Sequence, residues 1–164
     1  MDFFDRVGLP RRFAVDAAAL EQAYLARSRA LHPDYHRLGS SADQAASTEL
    51  SASLNEAYTT LKDPFKRAEY LLQLAGGPTA GEYKDVPGDF LNEMLETRMG
   101  IAELSPGSPA AAALEKQLTD RRDTLLAKVG SMLDGSTPTR LVEARRLLNA
   151  TKYVQNLIRD LRAM

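Results

Sequence analysis

Leu50-Ser51-Ala52-Ser53-Leu54-Asn55-Glu56-Ala57-Tyr58-Thr59-Thr60-Leu61-Lys62-Asp63-Pro64 is the stretch that decides the fold class of this chain. Its apolar residues Leu50, Leu54, Ala57, Tyr58 and Leu61 fall at i, i+4, i+7, i+8 and i+11, the period of one face of an α-helix, and no other segment carries so clear an amphipathic signal. Asp63-Pro64 ends that helix and starts the next, with a capping acid followed by proline at the first helical position. Phe65, Ala68, Leu71, Leu72 and Ala75 supply the contact face of the new helix. Upstream, Ser41 and Gln44 have the spacing of a capping box and predict the start of the long helix.

Toward the amino terminus, Asp16 predicts an N-cap, and Leu20, Tyr24 and Leu31 share one face of a helix that runs to about residue 31. Pro33 ends it, because the residue before proline is pushed out of the α region. This helix and the long one can pack as an antiparallel pair. Phe3, Phe4, Val7 and Leu9, closed by Gly8 and Pro10, suit a brief helical turn packed on the downstream chain. Toward the carboxy terminus, Gly76, Gly77, Pro78, Gly81, Pro87 and Gly88 concentrate helix breakers, which predicts one part over 1–75, a linker over 76–88 and a second part over 89–164. Helices are expected near 89–104, 109–133 and 138–163. The short connections Ser105-Pro106-Gly107-Ser108-Pro109 and Asp134-Gly135-Ser136-Thr137-Pro138 imply an antiparallel three-helix bundle. Strand formers are scattered, so the expected class is all-α: a helical hairpin followed by a bundle.

Composition narrows the function. A length of 164 residues with 44% hydrophobic content can supply a core for one full-sized domain or two small ones. The 21 Lys+Arg balance 22 Asp+Glu for a net charge of -1, so no overall field gathers nucleic acid or anionic membrane. The absence of cysteine removes disulfides, thiolate catalysis and Cys-based metal sites. Met1-Asp2-Phe3-Phe4-Asp5 lacks the basic and apolar blocks of a secretory signal, and no run is long enough to span a bilayer, so a soluble cytoplasmic protein is expected. Neither a phosphate-binding Gly-x-x-x-x-Gly-Lys-[Ser/Thr] loop nor a Gly-x-Ser-x-Gly nucleophile elbow occurs. His32 and His36 are four apart, but Pro33 disrupts the helix that would align them on a metal. A helix-turn-helix reader would need an Arg/Lys-rich recognition helix. No cofactor and no enzymatic activity are expected; an ester- or phosphate-hydrolysing role for His32 is the rival reading.

Two contact surfaces remain. His32-Pro33-Asp34 displays an imidazole and a carboxylate at the tip of the helical hairpin, and proline lowers the entropy lost when they meet a partner. The helix near 89–104 carries two apolar lines. Phe90, Met94, Ile101 and Leu104 form one; Leu91, Leu95, Met99 and Ala102 form its neighbour, flanked by Glu96 and Glu103. A bundle buries the first line, and an exposed second line with an acidic rim suits a partner helix or loop.

Asp2-Phe3-Phe4 with Gly8-Leu9-Pro10, then Leu31-His32-Pro33-Asp34, then Leu54 through Pro64 running on into Arg67-Ala68-Glu69-Tyr70-Leu71-Leu72, together resemble the J-domain and, more closely, the HscB-type iron–sulfur co-chaperones. The resemblance implies that His32, Pro33 and Asp34 engage a DnaK/HscA-like ATPase chaperone, with Arg27 and Arg29 as the basic face of the preceding helix. Glu21 offsets part of that charge, and Tyr35 stands where lysine is typical, so steering of modest strength is expected. It also implies that Leu91, Leu95, Glu96 and Glu103 receive an IscU-type scaffold protein, with Tyr153 at the position of a family aromatic. Met99 replaces an acidic residue and Asn92 an apolar one in that patch. The alternative is a J-domain protein whose arm serves another client or self-associates weakly.

Overall fold

The computed structural model describes residues 1–31, 39–134 and 138–164. Its elements are α1 (Phe3–Val7), α2 (Ala17–Leu31), α3 (Ser41–Lys62), α4 (Pro64–Leu74), α5 (Phe90–Ala102), α6 (Pro109–Asp134) and α7 (Pro138–Arg162), with no strand among the described residues. The chain is all-α, and it divides into two compact units, Met1–Tyr70 and Leu71–Met164.

In the first unit, α1 and α2 both pack on α3. The short α1 is held by its ends. Asp2 accepts the Asp5 N–H at 2.8 Å while the Asp5 carboxylate accepts that of Asp2 at 3.0 Å, and Gly8 closes the other end at φ 75°. Phe4 and Val7 of α1, Leu20 of α2, and Leu54, Ala57 and Leu61 of α3 are buried, as the helical period predicts. Leu50, expected on the same face, is instead 54% exposed. It lies beside Met1 and Arg6, at the edge of the region that α1 covers. Tyr24 and Tyr58 stack across the α2–α3 seam with ring centroids 4.1 Å apart, and the Tyr24 hydroxyl donates to Asn55.

The cap of α3 also differs from the sequence expectation. Ser40, not Ser41, is the N-cap, accepting the Asp43 N–H at 3.1 Å, and Asp43 rather than Gln44 reaches back to the cap. A charged carboxylate gains more than a neutral amide near a helix N-terminus, which favours the register one residue earlier. The Gln44 amide donates instead to the Gly39 carbonyl at 3.3 Å. Asp16 and Asp63 do cap as predicted, accepting the Ala18 and Phe65 N–H groups at 2.9 and 2.8 Å.

In the second unit α6 and α7 run against each other along their length, and α5 lies on α7, giving an antiparallel three-helix bundle. Its core joins Val86, Phe90, Met94 and Ile101 to Ala111 and Leu118 of α6 and Val154, Leu157, Ile158 and Leu161 of α7. Residues 83–86, which precede α5, are fastened rather than loose. The Asn149 side-chain amide donates to the carbonyls of Tyr83 and Asp85, both at 2.9 Å, while its own oxygen accepts from Arg145 at 3.0 Å.

Candidate functional site

The first candidate site is the end of the α2–α3 pair. His32, Pro33 and Asp34, together with His36, lie outside the described residues. What the structure does describe is the point at which the chain leaves α2. The carbonyl of Leu31 accepts two hydroxyls from α3, those of Ser47 at 2.7 Å and Ser51 at 3.2 Å. One of the orphan carbonyls of the α2 C-terminus is therefore satisfied by α3, which fixes the residue immediately before His32. Ser47 is buried, and its hydroxyl has no role in the hydrophobic stripe, so periodicity gave no hint of this clamp.

Arg27 and Arg29 are both exposed, but they do not form one face. Two residues apart on a helix, they point about 200° from each other. The guanidinium of Arg27 lies against the α-carbon of Gly8, at the C-cap of α1. Arg29 stands one helical turn beyond Leu25, an apolar side chain that is 42% exposed. Leu25 was missed by sequence reasoning, although it falls off the Leu20-Tyr24-Leu31 stripe and its exposure was readable from that offset.

The second candidate site is α5. Phe90, Met94 and Ile101 are buried, whereas Leu91, Leu95 and Met99 are 49%, 58% and 64% exposed. Ala102, Glu96 and Glu103 are exposed as well, so the two apolar lines separate as the spacing predicts: one into the bundle, one into solvent. Tyr153 of α7 is partly exposed and meets Phe90 edge-on at 6.1 Å, which places an aromatic beside the start of the ridge. Two charged pairs that the stripe pattern does not register hold α5 in place. Arg121 of α6 donates through both terminal nitrogens to Glu93, the Nη2 bond measuring 3.0 Å, and lies over the Phe90 ring at 5.2 Å. That bond holds the Glu93 carboxyl below the usual glutamate range, against a smaller opposing effect of burial. On the other flank Arg98 approaches Asp160 of α7 at 3.8 Å.

A continuous apolar ridge with exposed carboxylates on one side can receive an apolar face whose border is basic or hydrogen-bond-donating. Among the described residues no group of three or more His, Asp or Glu side chains is placed to hold a metal ion, and no helix is long and apolar enough to cross a membrane.

Comparison with known proteins bears on both regions. Residues 2–70 match the family model of the DnaJ domain, and residues 86–162 match that of the HSCB C-terminal oligomerisation domain. The co-chaperone protein HscB homolog of Chromobacterium violaceum is 42% identical over 118 residues, covering 71% of this chain and 67% of the relative. That of Bordetella avium is 30% identical over 164 residues, covering 99% and 96%. Among solved structures, the chaperone HscB from Vibrio cholerae superposes with a TM-score of 0.84 at 26% identity over 99% of this chain and 96% of the other. Human co-chaperone protein HscB gives 0.86 at 28% identity over 99% and 81%.

Proposed function

The chain belongs to the HscB family of J-domain co-chaperones, and from that premise we propose that it stimulates the ATPase of a DnaK/HscA-like chaperone and delivers an IscU-type iron–sulfur scaffold to it. Residues 1–75 act as the J-domain and 89–164 as the scaffold-binding arm, with 76–88 between them. His32, Pro33 and Asp34 meet the chaperone, and Arg29 adds positive charge alongside. Arg27 contributes less, since its guanidinium rests on Gly8. Leu91, Leu95 and Met99, bordered by Glu96, Glu103 and Tyr153, hold the scaffold.

The observation that carries this reading is the ridge. Three large apolar side chains stand in solvent on a helix whose neighbouring apolar line is already buried, and surface of that kind lowers its free energy by meeting a partner. The mechanism is delivery coupled to triggering. The arm raises the effective concentration of scaffold beside the chaperone, and His32, Pro33 and Asp34 bias the chaperone toward hydrolysis and closure. The chain itself makes and breaks no bond.

Steady-state ATP hydrolysis by a DnaK-like chaperone, with this chain and a scaffold added singly and together, tests the reading. Asp34→Asn is expected to abolish stimulation while leaving scaffold binding intact. Stimulation that survives Asp34→Asn would contradict it. So would hydrolysis of ester or phosphate substrates by the chain alone that disappears with His32→Ala.

A further inference from the structure

The geometry points to Arg121 as a positioning residue that sets the rotation of α5 about its own axis, and with it the direction in which the Leu91, Leu95 and Met99 ridge faces. This rests on the ridge being the scaffold-docking surface.

The need for such a residue arises from the two apolar lines on α5. Phe90 and Met94 are buried and Leu91 and Leu95 are exposed, yet neighbouring positions lie only about 100° apart around a helix. A roll of that size would exchange one apolar line for the other. Hydrophobic burial is non-directional and distinguishes the two settings poorly. The caps do not select a rotation either: Asp89 makes no side-chain cap bond to α5 and the Glu103 cap bonds only carbonyls of α5 itself, while the Asn149 clamp on residues 83–86 holds the chain before the helix, not the helix. Directional contacts must decide, and among the described residues two ion pairs tie α5 to its neighbouring helices.

The contacts are unequal. On one flank Arg98 and Asp160 are 3.8 Å apart, beyond hydrogen-bond length, and their side chains are 57% and 39% exposed. On the other, Arg121 of α6 grips two residues of α5 at once. It donates through both terminal nitrogens to the Glu93 carboxylate, and its Cζ lies 5.2 Å from the ring centroid of Phe90. Phe90 and Glu93 are three apart and share a face, so one guanidinium fixes both the ring that must point inward and the carboxylate that must point sideways. Phe90 then meets Tyr153 edge-on at 6.1 Å, which extends the same arrangement to the aromatic at the border of the ridge.

The test uses the full chain and an IscU-type scaffold, with Arg121→Gln, Arg121→Lys and the control pair Leu91→Ala with Leu95→Ala. Three quantities are read: scaffold Kd by calorimetry, thermal midpoint, and amide chemical shifts of the free chain. Arg121→Gln is expected to weaken binding roughly fivefold, the scale of a half-exposed ion pair, and to move the amides of residues 90–102 but not those of α2. Its midpoint should fall by no more than about 2–4 °C. Arg121→Lys, which keeps the charge and loses the fork, should lie between Arg121→Gln and the unaltered chain. A residue with only a structural role would lower the midpoint and leave the Kd of the folded chain unchanged. If Arg121→Gln binds normally with unmoved amides while the leucine pair does not bind, the positioning role is wrong and the ridge reading stands. If the leucine pair also binds normally, the ridge is not the docking surface and the proposal falls with it.

Discussion

Removing the ridge without touching the core is the sharpest perturbation the structure offers, and its magnitude can be worked from exposure. Leu91 and Leu95 are 49% and 58% exposed in the free chain, so docking can take about half of each side chain out of water. Full burial of a leucine is worth about 1.5–3 kcal/mol, and half of it therefore about 0.8–1.5 kcal/mol. Allowing for the methyl that alanine keeps, Leu91→Ala with Leu95→Ala should cost about 2 kcal/mol of binding. At about 1.4 kcal/mol per decade, that is roughly a thirtyfold rise in Kd for an IscU-type scaffold. Folding stability should change by less than about 0.5 kcal/mol, because neither side chain lies in the core. Calorimetric titration of the scaffold, beside chemical denaturation of the chain alone, measures both numbers. In the coupled ATPase assay, stimulation by the chain alone should persist, while the scaffold-dependent increment shifts to higher scaffold concentration. A Kd within threefold of the unaltered chain, or a loss of stability as large as the loss of binding, would refute the reasoning.

Three further outcomes are expected. Gly8→Ala should destabilise the first unit by roughly 1–2 kcal/mol from its left-handed backbone, with little added by the Arg27 guanidinium, an exposed side-chain end that can swing clear of the new Cβ; denaturation of Gly8→Ala with and without Arg27→Ala should therefore show nearly the same loss. Asn149→Ala strips two carbonyls and the Arg145 Nε of their shared partner, and should cost about 1–3 kcal/mol while raising amide exchange across residues 83–86. Glu93 has its folded-state pKa depressed by Arg121, so its contribution is present above the ordinary glutamate range and is lost as pH falls through the depressed value. Amide shifts of residues 90–102 should accordingly titrate below about pH 4.3, the unperturbed glutamate value, and Glu93→Gln should remove that titration.

Helices and their order were legible because each is announced by local chemistry: Asp16 and Asp63 as caps, Pro64 at a first helical turn, proline and glycine between α5, α6 and α7. The two lines on α5 were legible for the same reason, since a period of 3.6 assigns Leu91 and Leu95 to one side and Phe90 and Met94 to the other. Three features needed coordinates. Leu50 fits the stripe of α3 well, yet it stands 54% exposed beside Met1 and Arg6, at the margin of the five-residue α1. Ser40 and Ser41 offer adjacent capping registers, and the choice depends on how a carboxylate and an amide compete at one helix end. Arg121 and Glu93 are 28 residues apart in sequence, and nothing in the spacing of either helix couples them. Arg27 and Arg29 were separable in principle, because two positions along a helix never share a face.

The Tyr24–Tyr58 contact has a mechanical consequence. The rings lie 4.1 Å apart and 15° from parallel, and the Tyr24 hydroxyl bonds Asn55 at the same place, so a surface contact and a directional bond share one point of the seam. Whether the two helices are slid or prised apart, ring overlap and that bond are lost together. A push delivered where α2 ends should therefore move α2 and α3 as one body.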